Sequence, residues 1–142
     1  MSAAVTPGVS HSRRIDVAHD RTIGFMGEDF RVYATPSMVS DVEYTCRDFL
    51  VKMLAEGQDS VGARVEIDHL APTLLGMWAE IRVEIAAVEG RRVTFAFEVR
   101  DAIETVGRGL HIRFIVDKPK TAERLAAKRA KAVAVNGAFS HR

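Results

Sequence analysis

Cys46 is the only cysteine in 142 residues, so no disulfide can form within the chain. One thiol without clustered His or Cys makes no structural zinc site, and the five histidines show no metal-ligand spacing. No apolar run approaches the roughly 18 residues of a membrane span. The Ser/Ala-rich start, MSAAVTPGVSHSRR, lacks the apolar core of a signal peptide. These absences lead us to expect a cytoplasmic protein with no metal and no membrane partner. Aromatic residues are sparse, at 7%, and are not interleaved with the basic ones, which argues against a nucleic-acid stacking surface. What remains is ordinary for one globular domain: 47% apolar and 27% charged residues.

The net charge of +1 hides an asymmetry. Residues 118–142 carry seven Lys/Arg against one acid, whereas residues 1–117 carry thirteen against eighteen. The basic tail is either a solvated helix or a surface for phosphates.

Along the chain, residues 1–14 read as a disordered arm, 15–118 as the domain and 119–142 as a basic helix and tail. A weak strand is expected near Ile15 to Ala18. The segment ATPSMVSDVEYTCRDFLVKMLAEG predicts a helix from Pro36 to about Glu56, with Thr35 as N-cap, Pro36 in the first turn and Gly57 closing it. Met38, Val42, Thr45, Cys46, Phe49, Leu50, Met53 and Leu54 share one broad arc of that helix. Glu43 falls inside the same arc, where a helix should bury apolar groups.

Beyond Gly57 the period becomes two. Val61, Ala63, Val65, Ile67 and His69 are expected on one face of a first strand, opposite Gly62, Arg64, Glu66 and Asp68. After a turn bracketed by Pro72 and Gly76, Met77, Ala79, Ile81, Val83 and Ile85 mark a second strand. EGRR is a hairpin turn. A third strand alternates Val93, Phe95, Phe97 and Val99, and a fourth has Val106, Leu110, Ile112, Phe114 and Val116 in phase, with His111 and Arg113 opposite. A short basic helix is expected from near Thr121, followed by a loose NGAFSHR end. One helix against one antiparallel sheet is an α+β packing.

Two polar residues thus lie on faces reserved for the core, Glu43 and His69. Burying either charge is costly unless it is paired, so each is a candidate partner of the other or of a shared ligand. With Thr35 at the helix mouth they supply a hydroxyl, a carboxylate and an imidazole, the ingredients of acyl transfer. Plainer readings stand beside this one. Thr35 serves as a cap, Glu43 turns outward to Arg47, and His69 is a satisfied core histidine. Cys46 reads as a small hydrophobe, and His111 and Arg113 as surface residues or contacts to a neighbouring subunit. Gly107 and Gly109, lying within a strand, suggest a bulge or a close approach.

VYAT, the MV and VEYTC that follow it, VGARVEIDHLAPTLLG, VEGRRVTF and GRGLHIRFIV resemble, in order and spacing, the fluoroacetyl-CoA thioesterase-like group of hotdog-fold acyl-CoA thioesterases. The resemblance runs from about Val32 to Val116. It implies a hotdog fold, a long central helix wrapped by a curved antiparallel sheet. It also implies hydrolysis of an acyl-CoA to acid and CoA, with Thr35, Glu43 and His69 as the catalytic set and no cofactor beyond the CoA of the substrate. Gly62 and Arg113 match substrate-binding positions of the group, which works as homodimers or higher oligomers. The segment GFMGEDFRVYAT departs from the aromatic lid of the fluoroacetyl-specific members, so another short or modified acyl-CoA is expected. The competing reading is a hotdog protein that binds acyl-CoA without turning it over. An enoyl-CoA hydratase is disfavoured, because no Asp-x-x-x-x-His pair is present.

Overall fold

The computed structural model describes residues 4–136. The first three residues of the expected arm and the end after Asn136 lie outside the described residues. Seven strands and two helices follow in the order β1 (Ser10–Asp16), β2 (Thr22–Ile23), β3 (Val32–Tyr33), α1 (Thr35–Val51), β4 (Gln58–His69), β5 (Trp78–Glu89), β6 (Arg92–Arg100), β7 (Thr105–Asp117) and α2 (Lys118–Asn136). Five of the strands make one sheet in the order β1-β5-β6-β7-β4, while β2 and β3 pair with each other. Every pairing is antiparallel.

The arm is ordered earlier than its sequence suggests. Ser10–Asp16 pairs residue by residue with Trp78–Glu84. Arg13 donates to Asp48 at 2.8 Å, and the His11 ring stacks on Phe49. The polar string SHSRRID hides this strand because an edge strand is held mainly by backbone bonds, which carry no side-chain period.

Helix α1 packs on the sheet through Met38, Val42, Thr45, Cys46 and Leu50, all buried. They meet Ala79, Ile81, Val83 and Ile85 of β5 and Val93, Phe95, Phe97 and Val99 of β6, the faces expected from their alternation. Each large aliphatic buried this way contributes about 1.5–3 kcal/mol. The helix stops at Val51, short of the expected Glu56, and Gly57 takes φ +82° in the turn that follows. Gly90, φ +62°, closes the β5–β6 hairpin between Glu89 and Arg92. Helix α2 starts three residues before the expected Thr121 and runs for 19 residues with none of its residues buried. Among the described residues no helix is long and apolar enough to cross a membrane.

Two strand readings are corrected by the structure. In β4 the pairing to β7 slips between Gly62, which opposes Arg113, and Arg64, which opposes Ile112. The extra residue, Ala63, reverses the alternation. Ser60 and Gly62 therefore share a face with Val65, Ile67 and His69, whereas Val61 turns outward and is 45% exposed. In β7 it is His111 and Arg113 that face the helix, at 0% and 6% exposure, while Leu110 and Phe114 are each 40% exposed. The reading of His111 and Arg113 as surface residues is overturned, because buried partners satisfy both.

Gly107 and Gly109 mark a close approach, as their place in a strand suggested. A Cβ on Gly107 would meet the Met38 sulfur at 2.6 Å, and one on Gly109 the Glu66 carbonyl oxygen at 1.8 Å. The obstacle at Gly109 is backbone, which cannot swing away. Gly109→Ala is expected to cost about 3 kcal/mol or more. A thermal melt followed by circular dichroism should show Tm lower by roughly 10 °C; an unchanged Tm would contradict this packing.

Candidate active site

The chain enters α1 through Ala34, whose extended backbone (φ −77°, ψ 140°) makes it the N-cap residue. Thr35 is already helical and makes no capping bond, which corrects its expected role as cap. Its hydroxyl lies instead 2.6 Å from His69 Nδ1, at the far end of β4. The other ring nitrogen, Nε2, is buried with no partner among the described residues. In either tautomer one nitrogen engages Thr35 and the second is left for a ligand. Burial lowers the His69 pKa and the Ala71 backbone partly offsets it, so the imidazole is neutral under ordinary conditions.

Thr35 and His69 open into a pocket of about 300 Å³ whose other walls include Ile23, Phe25, Val32, Tyr33 and Leu70. Phe25 belongs to the segment that had read as lacking an aromatic lid; it is 74% exposed and stands at this mouth. The mouth is fixed from below. Tyr33 donates its hydroxyl to Asp41 at 2.5 Å, and Arg21 donates Nε to the same carboxylate at 3.0 Å.

Glu43, Gly62 and Arg113 come together in a different cavity, of about 440 Å³, lined also by Ser40, Tyr44 and Arg47. Arg47 does not pair with Glu43 as the i+4 spacing allowed. It is committed to Asp59, at 3.0 Å and 2.5 Å, and to Asp48. Arg113 donates Nε to Ser60 Oγ at 2.7 Å and Nη2 to the Ser60 carbonyl at 2.8 Å. Its Nη1 lies 3.1 Å from His111 Nε2. A Cβ on Gly62 would stand 3.0 Å from Glu43 Oε1, 3.4 Å from His111 Cε1 and 3.5 Å from Arg113 Nη1. The missing side chain is therefore part of the cavity. Cys46 lies fully buried behind this wall, and burial pushes its thiol up to about 12, so it is no nucleophile.

Within one chain the two groups stay apart. Gly62 and His69 are seven residues apart on one strand, roughly 20 Å. Thr35 and Glu43 are about 12 Å apart along the helix. Ser60 was not singled out by sequence reasoning, and His111 was read as a surface residue or a contact to a neighbouring subunit. The alternation Gly107, Gly109, His111, Arg113 was the available signal, two glycines and two polar groups at period two on a single face. Among the described residues no group of three or more His, Cys, Asp or Glu is placed to hold a metal ion.

Residues 17–119 match the model of the FlK family, fluoroacetyl-CoA-specific thioesterase. The chain belongs to this family. A fluoroacetyl-CoA thioesterase of Streptantibioticus cattleyicolor is 30% identical over 89 residues, 63% of this chain and 64% of that protein, so the match spans less than two thirds of the relative. A crystal structure of a variant of the fluoroacetyl-CoA-specific thioesterase FlK superposes with a TM-score of 0.81 at 24% identity, covering 89% of this chain and 99% of that one. A thioesterase-superfamily member from Thermus thermophilus gives 0.84 at 27% identity, covering 92% and 98%. A hot-dog-like protein from Thermanaerovibrio acidaminovorans gives 0.78 at 24%, covering 96% and 94%. These neighbours establish the expected hotdog architecture. The FlK family match ends at residue 119, so nearly all of α2 lies beyond it.

Three wholly or partly buried imidazoles set a pH dependence of folding. His11, His69 and His111 all have pKa values lowered in the folded state, chiefly by burial. The unfolded chain then binds more protons, so stability falls as pH drops from the ordinary imidazole value of 6.5 towards the lowered folded values. The carboxylates of Asp48 and Asp59 are held below 3.8 by hydrogen bonds from Arg13 and Arg47, so they contribute only at much lower pH. Differential scanning fluorimetry should show Tm already declining below pH 6.5; a Tm flat until the carboxylate range would refute this origin.

Proposed function

We propose that the protein is an acyl-CoA thioesterase acting on a short or modified acyl group, with Thr35, Glu43 and His69 as its catalytic set and Gly62 and Arg113 shaping the acyl cavity. The observation that carries this reading is the 2.6 Å contact between Thr35 Oγ1 and His69 Nδ1, with Nε2 left buried and unpartnered. A neutral imidazole held by a hydroxyl is a general base ready for water or for that hydroxyl. The family supports the same chemistry, and its solved relatives include a variant of FlK in complex with fluoroacetate and CoA.

The separation of the two clusters favours a homodimer. Strand β4 is the last in the sheet and offers a 12-residue edge. Antiparallel pairing of two β4 edges about a twofold axis sets the His69 end of one copy beside the Gln58–Gly62 end of the other. One composite site then takes Thr35 and His69 from one chain and Glu43, Gly62 and Arg113 from its partner. In that site His69 removes a proton, Glu43 orients the imidazole or the attacking water, and the Thr35 hydroxyl stands against the thioester carbonyl. No cofactor is required, because base, water and the leaving CoA thiolate complete the reaction. CoA thioesters are held inside cells, which supports a cytoplasmic location.

Purified chain mixed with a panel of acyl-CoAs should release free thiol. Glu43→Ala and His69→Ala should each lower kcat/KM by about 100-fold or more. Mixing the two variants under subunit exchange should restore about a quarter of the activity, since random assembly of a twofold dimer rebuilds one intact composite site in each mixed dimer. Recovery of intact thioester from a stable complex, or activity undiminished in both variants, would overturn the enzyme. Absence of rescue would overturn the shared site.

A further inference from the structure

The wall of the Glu43 cavity contains a fully buried histidine to which the reaction assigns no task. His111 Nδ1 lies 2.8 Å from the carbonyl oxygen of Arg64. A carbonyl only accepts, so Nδ1 carries the proton and donates it. On the other side, Arg113 Nη1 has only protons to give, so His111 Nε2, at 3.1 Å, must be bare and accept. The two neighbours together fix one neutral tautomer.

The groups around the ring pull in both directions, and burial weighs most. Burial and the Arg113 charge oppose an imidazolium, while the Arg64 carbonyl and Glu43 on α1 pull the other way, with burial the largest cause. Arg113 in turn faces Cys46 and Glu43 of α1 and the Arg47–Asp59 pair. The Arg64 carbonyl is in reach because the bulge at Ala63 sits beside it.

We propose that His111 is a positioning residue for Arg113: its bare Nε2 holds Nη1 while Ser60 holds Nε and Nη2, which fixes the plane of the guanidinium against the acyl cavity. Three of the five guanidinium N–H bonds are thereby committed, and one on Nη1 and one on Nη2 remain for a group bound beside Gly62. The inference rests on the thioesterase reading for its consequence, but the contact itself does not. A Lys or Ser at position 111 cannot both donate to a carbonyl and accept from a guanidinium at this separation. Gln can, through its amide nitrogen and oxygen.

The test is a double-mutant cycle in the full chain, read by thiol release, with folding checked by thermal melts. His111→Phe should lower kcat/KM by roughly 10- to 100-fold, the usual weight of a hydrogen bond to a charged group. His111→Gln should stay within about threefold of the unaltered chain. In an Arg113→Met background, His111→Phe should add less than about threefold, because the residue acts through the arginine. Full additivity, or Gln as damaging as Phe at equal folded fraction, would overturn the proposal. The ¹⁵N imidazole spectrum of the unaltered chain at neutral pH gives a second reading that needs no activity. It should show His111 as the Nδ1–H tautomer, and an imidazolium or an Nε2–H tautomer would overturn it. A chain that releases no thiol would sink the thioesterase reading, and the spectrum with and without Arg113→Met would still decide the contact.

Discussion

A single extra residue in β4 decides which side chains the central helix meets. Gly62 and His69 are seven positions apart, an odd interval, and strict alternation would put them on opposite faces of the sheet. The bulge at Ala63 brings both to the helix side, and Val61 goes outward. The whole Glu43 cavity depends on that reversal. Gly62 comes to face Glu43 and Arg113, Ser60 comes under the guanidinium, and the Arg64 carbonyl becomes the acceptor for His111. A regular β4 would offer the helix Val61 and Ala63, an apolar wall with no cavity.

The separate β2–β3 pair and the chain's entry into α1 fix the other half. Tyr33 and Arg21 converge on Asp41, six residues beyond Thr35, which pins the start of the helix to the β2–β3 segment. With Ala34 in the cap position, the Thr35 hydroxyl is spared from capping and can engage His69. A helix capped by Thr35 itself would turn that oxygen towards its own backbone N–H groups. The register of one residue at the helix start thus separates a structural threonine from one available for chemistry.

Much of this was legible in the sequence, for physical reasons that differ by element. Strands β5 and β6 read correctly because their alternation reports burial on one face, and α1 because its apolar arc and its first-turn proline agree. Thr35, Glu43 and His69 stood out as polar groups on apolar faces or at a helix mouth, and the structure joins two of them directly. Strand β7 misled for an instructive reason: Leu110 and Phe114 lie on the outer face, while polar His111 and Arg113 are buried. Periodicity identifies two faces but not which one is inside, and here the polar face is the inner one because its groups satisfy each other. The bulge was illegible because a one-residue insertion has no composition of its own. The arm at Ser10–Arg14 was illegible because backbone bonds to β5 hold it.

The electrostatics of the Glu43 cavity follow from where its cations spend their hydrogen bonds. Two arginines line the space with this carboxylate, and either would neutralise it if free. Arg47 is drawn off by Asp59 and Asp48, and Arg113 by Ser60 and the neutral His111. Had His111 been charged, it would repel Arg113 and drive the guanidinium towards Glu43, closing the cavity with a salt bridge. Had it been apolar, Nη1 would lack that buried partner. Among the described residues Glu43 has no ion-pair partner, and the neutral imidazole takes one of the Arg113 Nη1 protons that could otherwise turn to it. A half-buried carboxylate without a partner costs stability, and that cost is sustained where the group is needed for a ligand.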